Sequence, residues 1–170
     1  MLQISEKIKE LLKNGLPKNV IKEYYLGTPA ETDKIIMPCI VIDTRGVDVT
    51  LGPTGMDHLE YRGYVRVYVN KKDGLMNQHS KGYPSPAQKA DEIIFGLDFS
   101  NNRARYSADS VIGILRGHPF LSGDTLNTQS TEVVYNTDVS CDRIDDDKSD
   151  VYIFEIRFNG KMNVEVLTRS

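Results

Sequence analysis

The sequence predicts an α+β fold: an antiparallel or mixed sheet of about five strands, with helices packed mainly on one face. Three observations predict it. The strand-like segments come in runs rather than in strict alternation with helices. Period-two alternation is clear at 60–70 and again at 151–159. The helical segments each carry one apolar stripe, so each has one side to bury. At 170 residues the chain fits one domain, 1–170, and is long enough for a sizeable core.

The elements follow in order. Residues 2–14 predict an amphipathic helix, because Ile4, Ile8, Leu11 and Leu12 share a face and Glu6, Lys7, Lys9, Glu10 and Lys13 fill the other. Asn14-Gly15 is its stop. Residues 16–27 predict a second short helix, with Pro17 in the first turn and Val20, Ile21, Tyr24 and Tyr25 as its stripe. A polar, irregular link follows, carrying Glu31 and Asp33. Residues 36–70 then organise the chain as three strands joined by one tight turn and one longer loop. Cys39-Ile40-Val41-Ile42 is a short β-branched run after Pro38, the pattern of a buried strand. Asp43-Thr44-Arg45-Gly46 offers turn chemistry, with Gly46 able to take positive φ. Val47, Val49 and Leu51 alternate with Asp48 and Thr50, and Gly52-Pro53-Thr54-Gly55 breaks that strand. In 60–70, Tyr61, Val65, Val67 and Val69 fall on one face with Gly63. Arg62, Tyr64, Arg66 and Tyr68 fall on the other, a face suited to water or to another protein.

The segment 71–84 predicts a long loop. Ser85-Pro86-Ala87-Gln88 reads as a capping box with proline at the first helical position. The helix it opens buries Ala87, Ala90, Ile93, Ile94 and Leu97. Residues 107–116 predict a further short helix through Val111, Ile112, Ile114 and Leu115, and a turn follows at 119–123. Alternation at 131–141 predicts a strand, 142–150 an acidic turn, and 151–159 the clearest strand, with Tyr152, Phe154, Ile156 and Phe158 on one face. Val164-Glu165-Val166 either adds a short tail strand or stays loose.

Composition narrows the function classes. With 39% apolar and 26% charged residues the chain reads as a globular protein rather than a disordered one. No apolar run approaches the roughly 20 residues of a membrane span, and no secretory signal opens the chain. Cys39 and Cys141 read as buried thiols, which suits a reducing cytoplasm. A net charge of −3, with lysine and arginine scattered along the chain, argues against a domain that grips nucleic acid through its phosphates.

Catalytic patterns are not evident, and the expectation is no enzyme, no cofactor and no metal. His58, His79 and His118 lie far apart in loop-like contexts without metal-ligand spacing. Asp142, Asp145, Asp146, Asp147 and Asp150 lack the spacing, central glycine and terminal glutamate of a calcium loop. One enzymatic alternative is a divalent-metal nuclease built from Asp43 or Asp48 with Glu60-Tyr61-Arg62. Such sites want lysine where Arg62 stands, since arginine does not readily give up a proton.

The order of motifs in residues 1–70 carries a resemblance. An amphipathic helix leads to Leu16-Pro17 and Tyr24-Tyr25-Leu26-Gly27. A polar link leads on to Met37-Pro38-Cys39-Ile40-Val41-Ile42, then Gly52-Pro53-Thr54-Gly55-Met56-Asp57, then a long strand ending Tyr68-Val69-Asn70. This is similar to the tail terminator (tail-completion) proteins of tailed bacteriophages and to related head-to-tail neck proteins. The resemblance implies a single tail-terminator-like domain and a non-enzymatic structural virion protein, made in the host bacterial cytoplasm. It also implies a homo-oligomeric ring, usually a hexamer, that caps the tail tube and joins tail to neck or connector proteins. DNA would pass through without specific binding, and no membrane is involved. Another neck or minor tail component is the alternative. The residues themselves offer a candidate subunit interface in Arg62, Tyr64, Arg66 and Tyr68, types enriched at interfaces. Leu51, Met56 and Leu59, in a loop reaching toward a neighbour, complete it.

Overall fold

The computed structural model describes residues 2–27, 34–52, 55–71, 85–118, 141–145 and 150–165. Helix α1 spans Leu2–Gly15 and buries Ile4, Ile8 and Leu12. After a turn come β1 (Glu23–Leu26), β2 (Cys39–Leu51) and β3 (Met56–Asn70). Helix α2 (Pro86–Ile94) follows, then the small hairpin β4 (Leu97–Asp98) and β5 (Arg105–Tyr106), and helix α3 (Val111–Gly117). Strands β6 (Cys141–Asp145) and β7 (Val151–Glu165) close the order. The main sheet runs β1-β2-β3-β7-β6. It is mixed: β1 lies parallel to β2, and the other pairs are antiparallel. The fold is α+β.

Helices α1, α2 and α3 share one face of this sheet. Their buried residues, Ile8 and Leu12, Ala90 and Ile94, Val111 and Leu115, form one cluster with Ile40, Ile42, Val65, Val67, Phe154 and Ile156. The face assignments read from alternation in β3 and β7 hold: Tyr61, Val65, Val67 and Val69 point into this core, as do Phe154, Ile156 and Phe158. Two glycines make room for large rings on the facing strand. Tyr61 sits opposite Gly160 and Phe158 opposite Gly63. A β-carbon on Gly160 would lie inside the Tyr61 ring, and one on Gly63 would press on the Phe158 ring.

Where the structure departs from sequence expectation, the cause is pairing. Residues 16–27 form no helix. Asn19 takes φ 71°, and the Val20 amide donates to the Pro17 carbonyl in a turn. The Glu23–Leu26 strand then pairs with the buried start of β2, with Lys22 N–H and Gly27 N–H also bonding across to Pro38 and Ile42 carbonyls at 2.8 Å each. Backbone bonds to a neighbouring strand outweigh a weak helical stripe. The expected tight turn at 43–46 is a β-bulge inside one continuous strand. Gly46 takes φ 75°, and the register shifts between Arg45 and Val47. The expected loop at 51–59 is also mostly strand, because β2 runs to Leu51 and β3 starts at Met56. The strand set is therefore not the one read from the sequence.

Smaller corrections follow the same logic. The capping box at Ser85 and Gln88 is present, with Ser85 N–H donating to Gln88 Oε1 at 2.9 Å and Gln88 N–H to Ser85 Oγ at 3.2 Å. Such a cap contributes about 1 kcal/mol. That helix stops before Gly96 (φ 48°), so Leu97 leaves its face and stands half exposed in β4. Helix α3 begins after its Ser110 cap rather than at Ser107. Asp142 to Asp145 are strand, not turn, because they pair with Glu155 to Tyr152 of β7. Val164 and Glu165 belong to β7 itself, paired with Asp57 and Met56. The expected polar link at 28–33, the loop at 72–84, the turn at 119–123 and the strand at 131–140 lie outside the described residues. So do His79, Asp146 and Asp147.

Candidate assembly surfaces

Alternation splits the predicted interface residues between two faces of the sheet. Register places Asp43 beside Tyr64, Arg45 beside Arg62 and Asp48 beside Glu60, all on the outer face, opposite the one on which the described helices pack. The bulge at Gly46 makes this possible, since it lets Arg45 and Asp48 share a face across three residues. On β7 the same face carries Arg157 opposite Tyr64 and Glu155 opposite Arg66.

This outer face is closed by its own charges. Glu155 is 6% exposed, yet it is held by Arg66 (Nη2 to Oε2, 2.6 Å) and Arg157 (Nε to Oε1, 2.7 Å). Burial alone would raise the Glu155 carboxyl, but the Arg157 and Arg66 hydrogen bonds outweigh it and hold the group below the usual carboxylate range. For Arg66, burial alone would ease loss of its proton. The bonds to Glu155 and Tyr68 reverse that and hold it more firmly charged. The Arg66 guanidinium lies 4.1 Å from the Tyr64 ring centroid and that of Arg45 lies 5.0 Å from it. The Tyr64 hydroxyl donates to Asp43 Oδ2 at 3.0 Å and accepts from Arg45 at 3.3 Å. Arg62 pairs with Asp48 at 3.1 Å. Tyr64 is consequently buried, at 5% exposure, and Arg66 is half-buried, while Tyr68, 6% exposed, packs in a small apolar cluster with Cys39 and Val41 on the same face. Of the four residues read as an open face, only Arg62 is exposed. Sequence alternation identified the face and could not reveal that acids on the flanking strands would fill it.

Leu51 and Leu59 belong to the opposite face, and Met56 falls on the outer one by alternation. Beyond Tyr61, strands β2, β3 and β7 continue as a three-stranded arm. Its inner side carries Val47, Val49 and Leu51 with Leu59, Met162 and Val164, as the register requires. Val47 and Met162 still touch the core. Val49 is 56% exposed, Leu51 81% and Val164 37%. The face that forms the core under the helices thus runs on as an exposed, mainly apolar surface, with Asp57 between Leu51 and Val164. At the base of the arm the Tyr61 hydroxyl is buried with no hydrogen-bond partner among the described residues.

The carboxylates of the nuclease alternative are committed to neighbours. Asp43 serves Tyr64 and Arg45, and Asp48 holds Arg62 with Glu60 as its cross-strand partner. Among the described residues no three His, Cys, Asp or Glu side chains converge as metal ligands. His58, expected in a loop, stands in β3 beside Asn163, and His118 caps α3 through the Ile114 carbonyl at 3.0 Å. Cys39 is buried and free, its thiol pushed up to about 12 by burial and by Glu23. The side chain of Cys141 lies outside the description. No helix among the described residues is long and apolar enough to cross a membrane.

One surface was not legible as a cluster. Lys9 and Lys13 on α1 and Lys18 and Lys22 on the turn after it line a cleft of about 480 Å³ together with Glu23, Ile21 and Tyr24. The paired spacing of four residues, 9 and 13 then 18 and 22, is the only sequence signal. It needs the chain reversal at Asn19 to become one patch. No protein-family model matches this chain, and no curated protein matches it.

Proposed function

We propose that this chain is a structural virion protein, a tail terminator that assembles into a ring, caps a phage tail tube and joins it to the neck or connector, with DNA passing through. The observation that carries the reading is the arm. A sheet whose apolar face outruns its helices, with Leu51 at 81% exposure, gains stability only when another surface covers it. A second copy or the end of a tube meets that need. The resemblance in residues 1–70 includes the β2–β3 hairpin of the arm, together with α1 and β1. On this reading the protein is a single domain on a sheet of about five strands, made in the host cytoplasm and carried in the virion, and its ring is a hexamer. Its work is mechanical rather than catalytic. The alternative, another neck or minor tail component, shares the arm and differs in the partner that covers it.

Native mass by light scattering across a concentration series, with negative-stain images of the same samples, tests the proposal. Closed rings with a central opening are expected, and added tail tubes should recruit them to one end. Leu51→Asp should reduce ring formation while leaving the melting temperature of the monomer unchanged. A protein that stays monomeric and is not recruited by tubes would sink the reading.

A further inference from the structure

Chain reversal brings four lysines to one cleft of about 480 Å³, two from α1 and two from the turn that follows it. One carboxylate, Glu23, also lines the cleft, so its local charge is +3 on a chain whose net charge is −3. Among the described residues none of the four ammonium groups has a carboxylate partner. The C-terminal end of α1 offsets only about half a unit charge. Lys9 and Lys13, one helical turn apart, repel each other. Acids elsewhere on the chain do little to relieve this, because the screening length in physiological salt is about 8 Å. An anion held between the lysines would relieve it.

The chemistry of the cleft selects among anions. Elsewhere in this chain carboxylates are met by arginine: Asp43, Asp48 and Glu155 are each held by a guanidinium. The cations of the cleft are all lysine, which meets phosphate as a point charge and lacks the planar fork that grips a carboxylate. Helix α1 brings its C-terminal turns to the cleft, so no array of free helix N–H groups is there to fix one small phosphate. Four charges spread along a cleft suit a chain of phosphates instead. Tyr24, half-buried, lines the same cleft. A cationic groove with an aromatic ring is how single strands are held, with phosphates on the cations and a base on the ring. The volume suits a group of about nucleotide size. A duplex keeps its bases stacked inside and offers such a cleft phosphates but no base face. We infer that this cleft binds single-stranded nucleic acid without sequence preference, its phosphates on Lys9, Lys13, Lys18 and Lys22 and a base on Tyr24. The site does not rest on the ring reading. Lysines scattered along a sequence argue against a phosphate grip, and the reversal at Asn19, with φ 71°, is what gathers these four.

Fluorescence anisotropy of the full-length protein with a labelled oligothymidine of about 12 nucleotides tests this in low salt. Binding is expected, with log K falling against log salt at a slope of about −3 for four phosphate contacts. Lys18→Glu with Lys22→Glu should weaken binding about tenfold or more, and Lys18→Gln with Lys22→Gln should bring the slope to about half. Tyr24→Leu should weaken binding about fivefold or more and leave the slope unchanged, while Tyr24→Phe, which keeps the ring, should bind as the wild type does. Melting curves establish that each variant is folded. A wild type that does not bind the strand, or folded lysine variants that bind it equally well, would overturn the site. A duplex of the same length bound as tightly as the single strand would overturn the assignment to single strands. A polyglutamate peptide bound as tightly, and lost with the lysines, would assign the cleft to acidic protein segments and overturn the nucleic-acid reading.

Discussion

Four arginines on the outer sheet face and four lysines beside α1 carry the same formal charge and have opposite physical standing. Arg45, Arg62, Arg66 and Arg157 each meet a carboxylate within the chain, and Arg66 and Arg45 also stack on Tyr64. Lys9, Lys13, Lys18 and Lys22 gather around a cleft without such partners among the described residues. The difference teaches that cation count does not locate an interface. A guanidinium cluster threaded with buried carboxylate is part of the fold, and an unneutralised ammonium cluster is available to a partner. Arginine suits the first role because its planar fork binds carboxylate and stacks on a ring at once.

The largest expected effect breaks the comparison at its centre. Arg66→Leu leaves Glu155 buried with one of its two cations gone, and should cost about 3–5 kcal/mol in urea unfolding. Replacing both, Arg66→Met with Glu155→Leu, should recover most of that loss, since well-packed apolar pairs often match a buried ion pair. A smaller effect appears with pH. The Glu155 carboxyl has a lower pKa folded than unfolded, so its contribution is complete above the ordinary glutamate value of about 4.3 and fades as pH falls through the depressed folded value. Melting temperature between pH 2 and 6 should therefore fall more steeply for the wild type than for Glu155→Gln. Arg62→Ala removes an exposed pair with Asp48 and should cost only about 0.2–1 kcal/mol by chemical denaturation. Smallest of all, Lys18→Glu with Lys22→Glu should change monomer stability by less than about 0.5 kcal/mol. A large destabilisation there would show that the lysines serve the fold, and the contrast between the two clusters would disappear.

Much of the secondary structure was readable, in proportion to how local its cause is. The capping box at Ser85 involves four consecutive residues and appeared as written. Alternation in β3 and β7 named the buried rings, because period two is a property of one strand. The second helix failed because Val20, Ile21, Tyr24 and Tyr25 satisfy either a helical stripe or a strand, and the backbone of β2 decided between them. The turn at Gly46 failed because positive φ serves a turn and a bulge equally. Only pairing with β3 tells which. Among the predicted interface residues, alternation within β3 sets Leu59 apart from Arg62, Tyr64, Arg66 and Tyr68, and only the face of Leu51 depended on that same bulge.

The sequence by itself determined the amphipathic helix at the N-terminus, the buried strand after Pro38, the two faces of β3 and β7, and the α+β class. Each follows from periodicity within one segment, where side-chain direction is set by the local backbone. Tertiary structure alone decided which charges meet. It drew Glu155 of β7 under Arg66 of β3, and it folded Lys18 and Lys22 back beside Lys9 and Lys13. It also carried the apolar face of β2, β3 and β7 past the last helix. Those outcomes depend on register and chain reversal between distant segments, and Coulomb and hydrophobic energies are set by the distances that result.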